Sequence, residues 1–345
     1  MEESGVMMTE ASLGLAKERG GVDVKRWATW ICAIGIWLLP LIWIDFTTYL
    51  VLTIAGLTMG MLLFLTAAGL TLIFGLMDVL NLAHGAFFAW GAYAGYTLLN
   101  ILNSFGWVES GAIGQGIGSV VFALIAALVV GGLLGVILER LVIRKVYGDH
   151  LKQILITMGA SLVMAELIKI FWGPNDEVVL VPQAFQGSFD LYDIVVNKFR
   201  VVAIIVGVAV FVGFQLVLKK TKLGIIVRAG VENREIVQAI GYNINSIFTG
   251  VFAAGAAIAA VGGTMWSIFK EQIYPGMGEE NLIFALIVVI IGGMGSITGS
   301  FLGAIMVGLA FNYVAFLLPK LALGVNILIM AVILLIRPRG LMGRD

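Results

Sequence analysis

Few residues in this 345-residue chain have the types and spacing for chemistry, and most stand alone in apolar surroundings. Asp78, Asn81 and His84 lie within one stretch, Gly75-Leu-Met-Asp-Val-Leu-Asn-Leu-Ala-His-Gly85. Asn81 and His84 are three apart and share one helical face. Asp78 is costly in hydrocarbon, so it must face protein, water or headgroups. Two readings stand: the cluster, with Gly85 beside it, lines a polar translocation path, or it bonds neighbouring helices and freed carbonyls. A proton relay through His84 lacks a chain of acidic partners. A second interruption reads Ile291-Gly-Gly-Met-Gly-Ser-Ile-Thr-Gly-Ser-Phe-Leu-Gly303. Gly292 and Gly293 favour a break. Gly295, Gly299 and Gly303 form a stripe where a helix can approach closely. Packing is one role for this stretch; a path passing Gly292, Gly293, Gly295 and Ser296 is the other. The two interruptions fall in opposite halves and share Gly and Met in similar order (Gly75, Met77; Gly292, Met294). Such pairing suggests an internal repeat with a transport site at its interface. Glu166 and Lys169, at i and i+3, read as a structural or snorkelling pair.

The elements that position these groups follow from composition. The chain has 21 basic and 21 acidic side chains, 60% hydrophobic residues and a mean hydropathy of +1.04. Charged residues make up 12%, against about 25% in soluble domains. A soluble globular enzyme and a disordered chain are both excluded. Zero net charge gives no basic surplus for nucleic acid. One cysteine, Cys32, and two histidines, His84 and His150, leave no disulfide framework and no expected metal site. No cofactor motif is found. There is no Gly-x-x-x-x-Gly-Lys-[Ser/Thr] phosphate loop, so energy must come from a partner or an ion gradient.

A helical span needs about 20 apolar residues. Spans are predicted near 27–44, 50–76, 84–103, 112–138, 153–172, 201–218, 247–269, 281–292, 297–318 and 321–336. The fold class is all-α, a polytopic membrane protein of eight to ten helices, some of them interrupted. Residues 1–26 read as a polar N-terminal segment and 27–345 as one transmembrane domain, entered at Trp27 and Trp30. Lys and Arg gather before 27, in 139–152, in 219–235 and after 336. The positive-inside rule makes these four segments and both termini cytoplasmic. The segments 104–111, 173–200 and 270–280 are poor in base and face outward.

The longest cytoplasmic segment, 219–246, is not low-complexity. Val231, Ile236, Val237 and Ile240 lie apart from Glu232, Arg234 and Glu235, which predicts a short amphipathic helix over 231–240 stopped by Gly241. Such a helix suits docking on another protein; the plain alternative is a surface loop that only satisfies the positive-inside rule.

Four stretches together resemble the ABC importer permeases of the branched-chain amino acid type, in particular the shorter permease of high-affinity leucine, isoleucine and valine systems. Thr221, Gly224, Arg228, Ala229, Asn233, Ala239 and Gly241 match the family's coupling loop. Asn81-Leu-Ala-His84-Gly85 resembles its Asn-x-Ala-His-Gly element, and Gly292-Gly-Met-Gly-Ser296 its late Gly-Gly-x-Gly-Ser motif. Arg337-Pro-Arg-Gly-Leu341 resembles its C-terminal ending. Ala86 stands where many members have Glu, and the N-terminal segment is longer than usual. The resemblance runs from about residue 50 to the end. It implies a permease subunit in a bacterial inner membrane, with no catalytic residue of its own. Its implied partners are a second related permease, two ATP-binding subunits, an extracytoplasmic solute-binding protein and the lipid bilayer. Branched-chain amino acids are the family's central substrate; near relatives carry urea, short amides, other amino acids or aromatic acids. An ion-coupled secondary transporter of small polar solutes is the alternative, with Asp78 or Glu166 as the ion carboxylate.

Overall fold

The computed structural model describes residues 35–191, 194–232 and 234–343, without the side chains of 191, 223, 227, 228, 231, 232, 234–236 and 323. The polar segment 1–26, Trp27, Trp30 and the rest of the first expected span up to residue 34 lie outside that range. Its described end is helical to residue 38 and continues as a 3-10 turn, Leu39–Ile42.

The helices follow as α1 (Phe46–Met77), α2 (His84–Ser104), α3 (Ile113–Leu141), α4 (His150–Trp172) and α5 (Lys198–Lys220). Two short helices come next, α6 (Lys222–Glu232) and α7 (Arg234–Ala239). Then come α8 (Ile244–Lys270), α9 (Met277–Gly292), α10 (Ile297–Leu317) and α11 (Ala322–Ile336). Among the described residues, six helices are long and apolar enough to cross a membrane: α1, α3, α4, α5, α8 and α10. The chain is a polytopic all-α membrane protein. The helices lie within a few residues of the expected spans, because hydropathy alone selects such segments.

Two features depart from expectation. The segment after α4 carries strands: β1 (Glu177–Val178), β2 (Ser188–Leu191) and β3 (Ile194–Asn197). β2 and β3 form a hairpin, and β1 pairs antiparallel with β4 (Gln272–Ile273). The helix expected over 231–240 starts earlier instead. Helix begins at Lys222, where Thr221 Oγ1 accepts the Gly224 N–H at 3.4 Å, and on the far side of residue 233 helix runs over Arg234–Ala239. Gly241 stops the latter as expected, at φ 95°, with the Tyr242 N–H bonded to the Val237 carbonyl.

α1 and α8 form the centre. Two thirds of the α1 span is buried (67%) and 61% of the α8 span, against 11% for α5. They run antiparallel: Gly69 meets Gly255, while Gly262 meets Leu65 and Thr66. A Cβ on Gly69 would strike the Gly255 carbonyl, so glycine permits this close crossing. Around this pair the molecule repeats itself upside down. α1 packs on α10 as α8 packs on α3, and α2 packs on α4 as α9 packs on α11. Each central helix opens on a side-chain cap, Asp45 to the Thr48 N–H (2.9 Å) and Asn243 to the Ser246 N–H (3.2 Å). Each closes on an acidic residue in the left-handed region, Asp78 at φ 52° and Glu271 at φ 58°, the two such non-glycine residues among those described. Gly85 follows Asp78 by seven residues, and Gly278 follows Glu271 by the same seven. Gly69 and Gly262, and Thr71 and Thr264, also match at this offset. The repeat therefore pairs the break after Asp78 with the break after Glu271. It does not pair Gly75–Met77 with Gly292–Met294. Those Gly-Met matches are local coincidences; the true counterparts share backbone conformation and spacing more than residue type.

Candidate functional site

Helix breaks inside a membrane must satisfy their backbone groups from other elements. In the first break, Leu80 N–H donates to Gln153 Oε1 (3.3 Å) and Leu82 N–H to Thr157 Oγ1 (3.1 Å), both on α4. Asn81 is 2% exposed, and its Oδ1 accepts the Ala83 N–H at 3.1 Å. Its Nδ2 has no partner among the described residues. His84 is fully buried, with Nε2 2.9 Å from the Thr66 carbonyl; that contact assigns the proton to Nε2 and leaves Nδ1 an unpartnered acceptor among the described residues. Gly85 and Gly278 touch reciprocally: a Cβ on either would strike the other's carbonyl.

In the second break, β4 pairs with β1, and the Glu271 carbonyl accepts the Val179 N–H at 3.0 Å. Nearby, burial and a hydrogen bond to Glu280 push the Tyr274 hydroxyl above its ordinary value, so it stays a donor.

The turn between α9 and α10 holds Gly293 at φ 95° and Gly295 at φ 84°, a conformation open to glycine. Ser296 Oγ accepts the Gly299 N–H at 3.1 Å and caps α10. Gly299 packs on Gly292 and Gly303 on Ile291, so the glycine stripe serves contacts within the chain. The C-terminal segment folds onto this turn. Leu341 N–H donates to the Ile291 carbonyl (2.8 Å) and Met342 N–H to that of Gly292 (3.0 Å). The two late motifs are thus one structure, the tail capping the carbonyls that α9 leaves free.

The structure brings the α9–α10 turn together with the end of α1 and the end of α5. Gly75 lies against Gly295, Gln215 Nε2 donates to Thr298 Oγ1 at 2.7 Å, and a cavity of about 250 Å³ joins them beside Lys219. Asn81 and His84 do not line that cavity. Two larger cavities occupy opposite ends of the seam between α5 and α8. One, of about 650 Å³ and nearly all apolar, lies beneath α6 between Phe214, Gly250 and Leu76. The other, of about 510 Å³, lies under the β-strands beside Phe199, Arg200 and Glu271. Between them Gly207 of α5 packs tightly on Met61 of α1: a Cβ at this glycine would stand only 2.6 Å from that side chain.

The segment 221–241 is tied to the same helices. Gly224 is buried at the α5–α6 corner, where a Cβ would strike the Leu218 carbonyl. Gly230 of α6 rests on Ile244 of α8. Val237 of α7, 3% exposed, shares an apolar cluster with Ile244 and Phe248. Thr221 is half-buried, while Ala229, Ala239 and Gly241 are exposed. Asn233 and the Arg228 side chain lie outside the described residues.

The family model described as "Branched-chain amino acid transport system / permease component" matches residues 52–336. The chain belongs to this family. It is 28% identical to the high-affinity branched-chain amino acid transport permease BraD of Pseudomonas aeruginosa over 305 residues, 86% of this chain and 96% of that protein. It is 25% identical to LivH of Escherichia coli K12 over 296 residues, 84% and 94% of the two chains. A probable permease LivM of Methanocaldococcus jannaschii is 25% identical over 199 residues, 55% of this chain and 54% of that one. No solved structure matches.

One residue of this permease escaped the sequence reading. Glu139 belongs by position to a basic segment at the end of a span, yet it is fully buried. It accepts the hydroxyls of Tyr147 (2.7 Å) and Thr249 (2.6 Å), with Arg144 Nε 3.5 Å away. It fastens α3 to the start of α8. Its only sequence signal was being an acid beside Arg140 at a helix end. Glu166 and Lys169 form the expected pair at 2.7 Å, both exposed.

Proposed function

We propose that this permease is one membrane subunit of an ATP-driven importer of branched-chain amino acids. It works in a bacterial inner membrane with a second related permease, two ATP-binding subunits and an extracytoplasmic solute-binding protein. Both termini and the segment 219–246 lie in the cytoplasm, and α6 and α7 receive the motion of the ATPases. The observation that carries this reading is the surface of that segment. Ile225, Ile240 and Tyr242 are 62%, 68% and 45% exposed on a stretch rich in Lys and Arg, outside every candidate span. Apolar residues held out in water on such a segment suit a protein partner. Behind them, Gly230 and Val237 rest on the start of α8, so a push on α6 or α7 is delivered to a central helix.

Alternating access then rocks one repeat against the other. Asn81, His84, Gly85, Gly292, Gly293, Gly295 and Ser296 occupy the helix breaks, and we assign them to the joints that border the path. The cavities at opposite ends of the α5–α8 seam, with the tight contact of Gly207 on Met61 of α1 between them, support a path with two gates.

Reconstitution of all five subunits tests this. Leucine uptake should be sensitive to vanadate and indifferent to ionophores. Arg228→Glu should lower uptake at least tenfold while the complex still assembles and hydrolyses ATP. Uptake abolished by an ionophore alone would favour an ion-coupled transporter and sink the assignment.

A further inference from the structure

The cavity of about 510 Å³ at the outward end of the α5–α8 seam contains two opposite charges that do not pair. It falls within the size range of small-ligand sites, about 300–1,000 Å³. Arg200, partly buried, and Glu271 both line it, yet no carboxylate lies within 4.0 Å of Arg200 among the described residues. Arg200 is the third residue of α5, where the positive end of the helix disfavours a cation. A planar guanidinium there is stabilised by an anion, and a carboxylate fits its fork of donors. Glu271 is held by its own backbone, in the left-handed region with its carbonyl bonded to the Val179 N–H. Apolar wall completes the cavity: Phe199, Ile268 and Val179 are each no more than 3% exposed.

We infer that this cavity receives the transported α-amino acid as its zwitterion. Arg200 takes the carboxylate, Glu271 takes the ammonium group, and the wall of Phe199, Ile268 and Val179 takes the branched side chain. The inference rests on the importer reading and names its outward binding site. A solute lacking either charge would leave one of the two ions unpaired, which is how such a cavity can select amino acids from other small molecules.

The test uses the complete transporter in proteoliposomes. Arg200→Gln and Glu271→Gln should each lower leucine uptake per ATP at least tenfold, and Arg200→Lys should recover part of the loss. The concentration of leucine-loaded binding protein that half-stimulates ATP hydrolysis should stay within twofold. A second measurement reads the site directly. In Val181→Cys, whose side chain lines the cavity, leucine should slow labelling by a membrane-impermeant thiol reagent and leucinamide should not. Adding Arg200→Gln should remove that protection. Unchanged uptake in both charge variants, or no protection by leucine, would overturn the site. A large rise in the half-stimulating concentration would also overturn it, giving Arg200 to a carboxylate of the binding protein. An unaltered transporter that moves no leucine under ATP would overturn the importer reading, whereas one that moves it equally well without Arg200 overturns this site alone.

Discussion

The starts of the two central helices are fastened in the same place by different chemistry. At the start of α1, the Thr53 hydroxyl lies 2.7 Å from that of Tyr313 on α10, and Tyr313 stacks on Tyr49 at 5.7 Å. At the start of α8, Thr249 meets a buried carboxylate, Glu139 on α3, backed by Tyr147 and Arg144. One fastening is neutral and aromatic; the other is charged and stands next to α6 and α7. A neutral pair loses one modest hydrogen bond when broken, whereas a buried carboxylate stripped of partners costs far more. Two symmetric halves thus differ in how firmly each is held, and the firmer joint faces the segment where force is proposed to enter.

Removing the charged fastening should have the largest effect. Replacing its donors while the acid remains is the severe case: Thr249→Val with Tyr147→Phe should destabilise the permease by about 3 kcal/mol or more, seen as a lowered melting temperature in detergent. A change no larger than that of the neutral joint would remove the distinction. The reciprocal glycine contact comes next. Gly85→Ala and Gly278→Ala should each cost about 1–3 kcal/mol, because each Cβ meets a backbone carbonyl that cannot move aside alone. Similar losses from both would sharpen the equivalence of the two breaks; a harmless change at either would break it. Tyr313→Phe should cost about 1 kcal/mol, since stacking survives and one hydrogen bond is lost. The smallest effects belong to the left-handed acids. Glu271→Gly should stabilise by up to about 1 kcal/mol and Asp78→Gly by less, because Asp tolerates that conformation better than Glu. The order reversed in denaturation midpoints would show that something other than backbone strain sets the two residues.

Much of the fold was legible because hydropathy is a local property. Each span could be read from its own residues, and the glycines at 292–295 announced a turn without knowledge of what they touch. The segment 219–246 was legible as carrying a short helix, but where that helix begins was not. The apolar positions 231, 236, 237 and 240 suggested one helix, while the actual start is set upstream by Thr221 and by the packing of Gly224 on Leu218. Asn81 and His84 were legible as unusual, and tertiary contacts show them enclosed, one against the backbone of its own break and the other against Thr66.

The sequence by itself determined that this is a multi-pass membrane protein, where its spans lie and which segments carry the basic charge. These follow from transfer of side chains between water and hydrocarbon, which needs no partner. Only the tertiary structure decided which breaks are counterparts, that Glu139 is buried, and that Arg200 and Glu271 share a cavity. Those facts depend on which backbones can approach each other, and that is settled by contacts between residues distant along the chain.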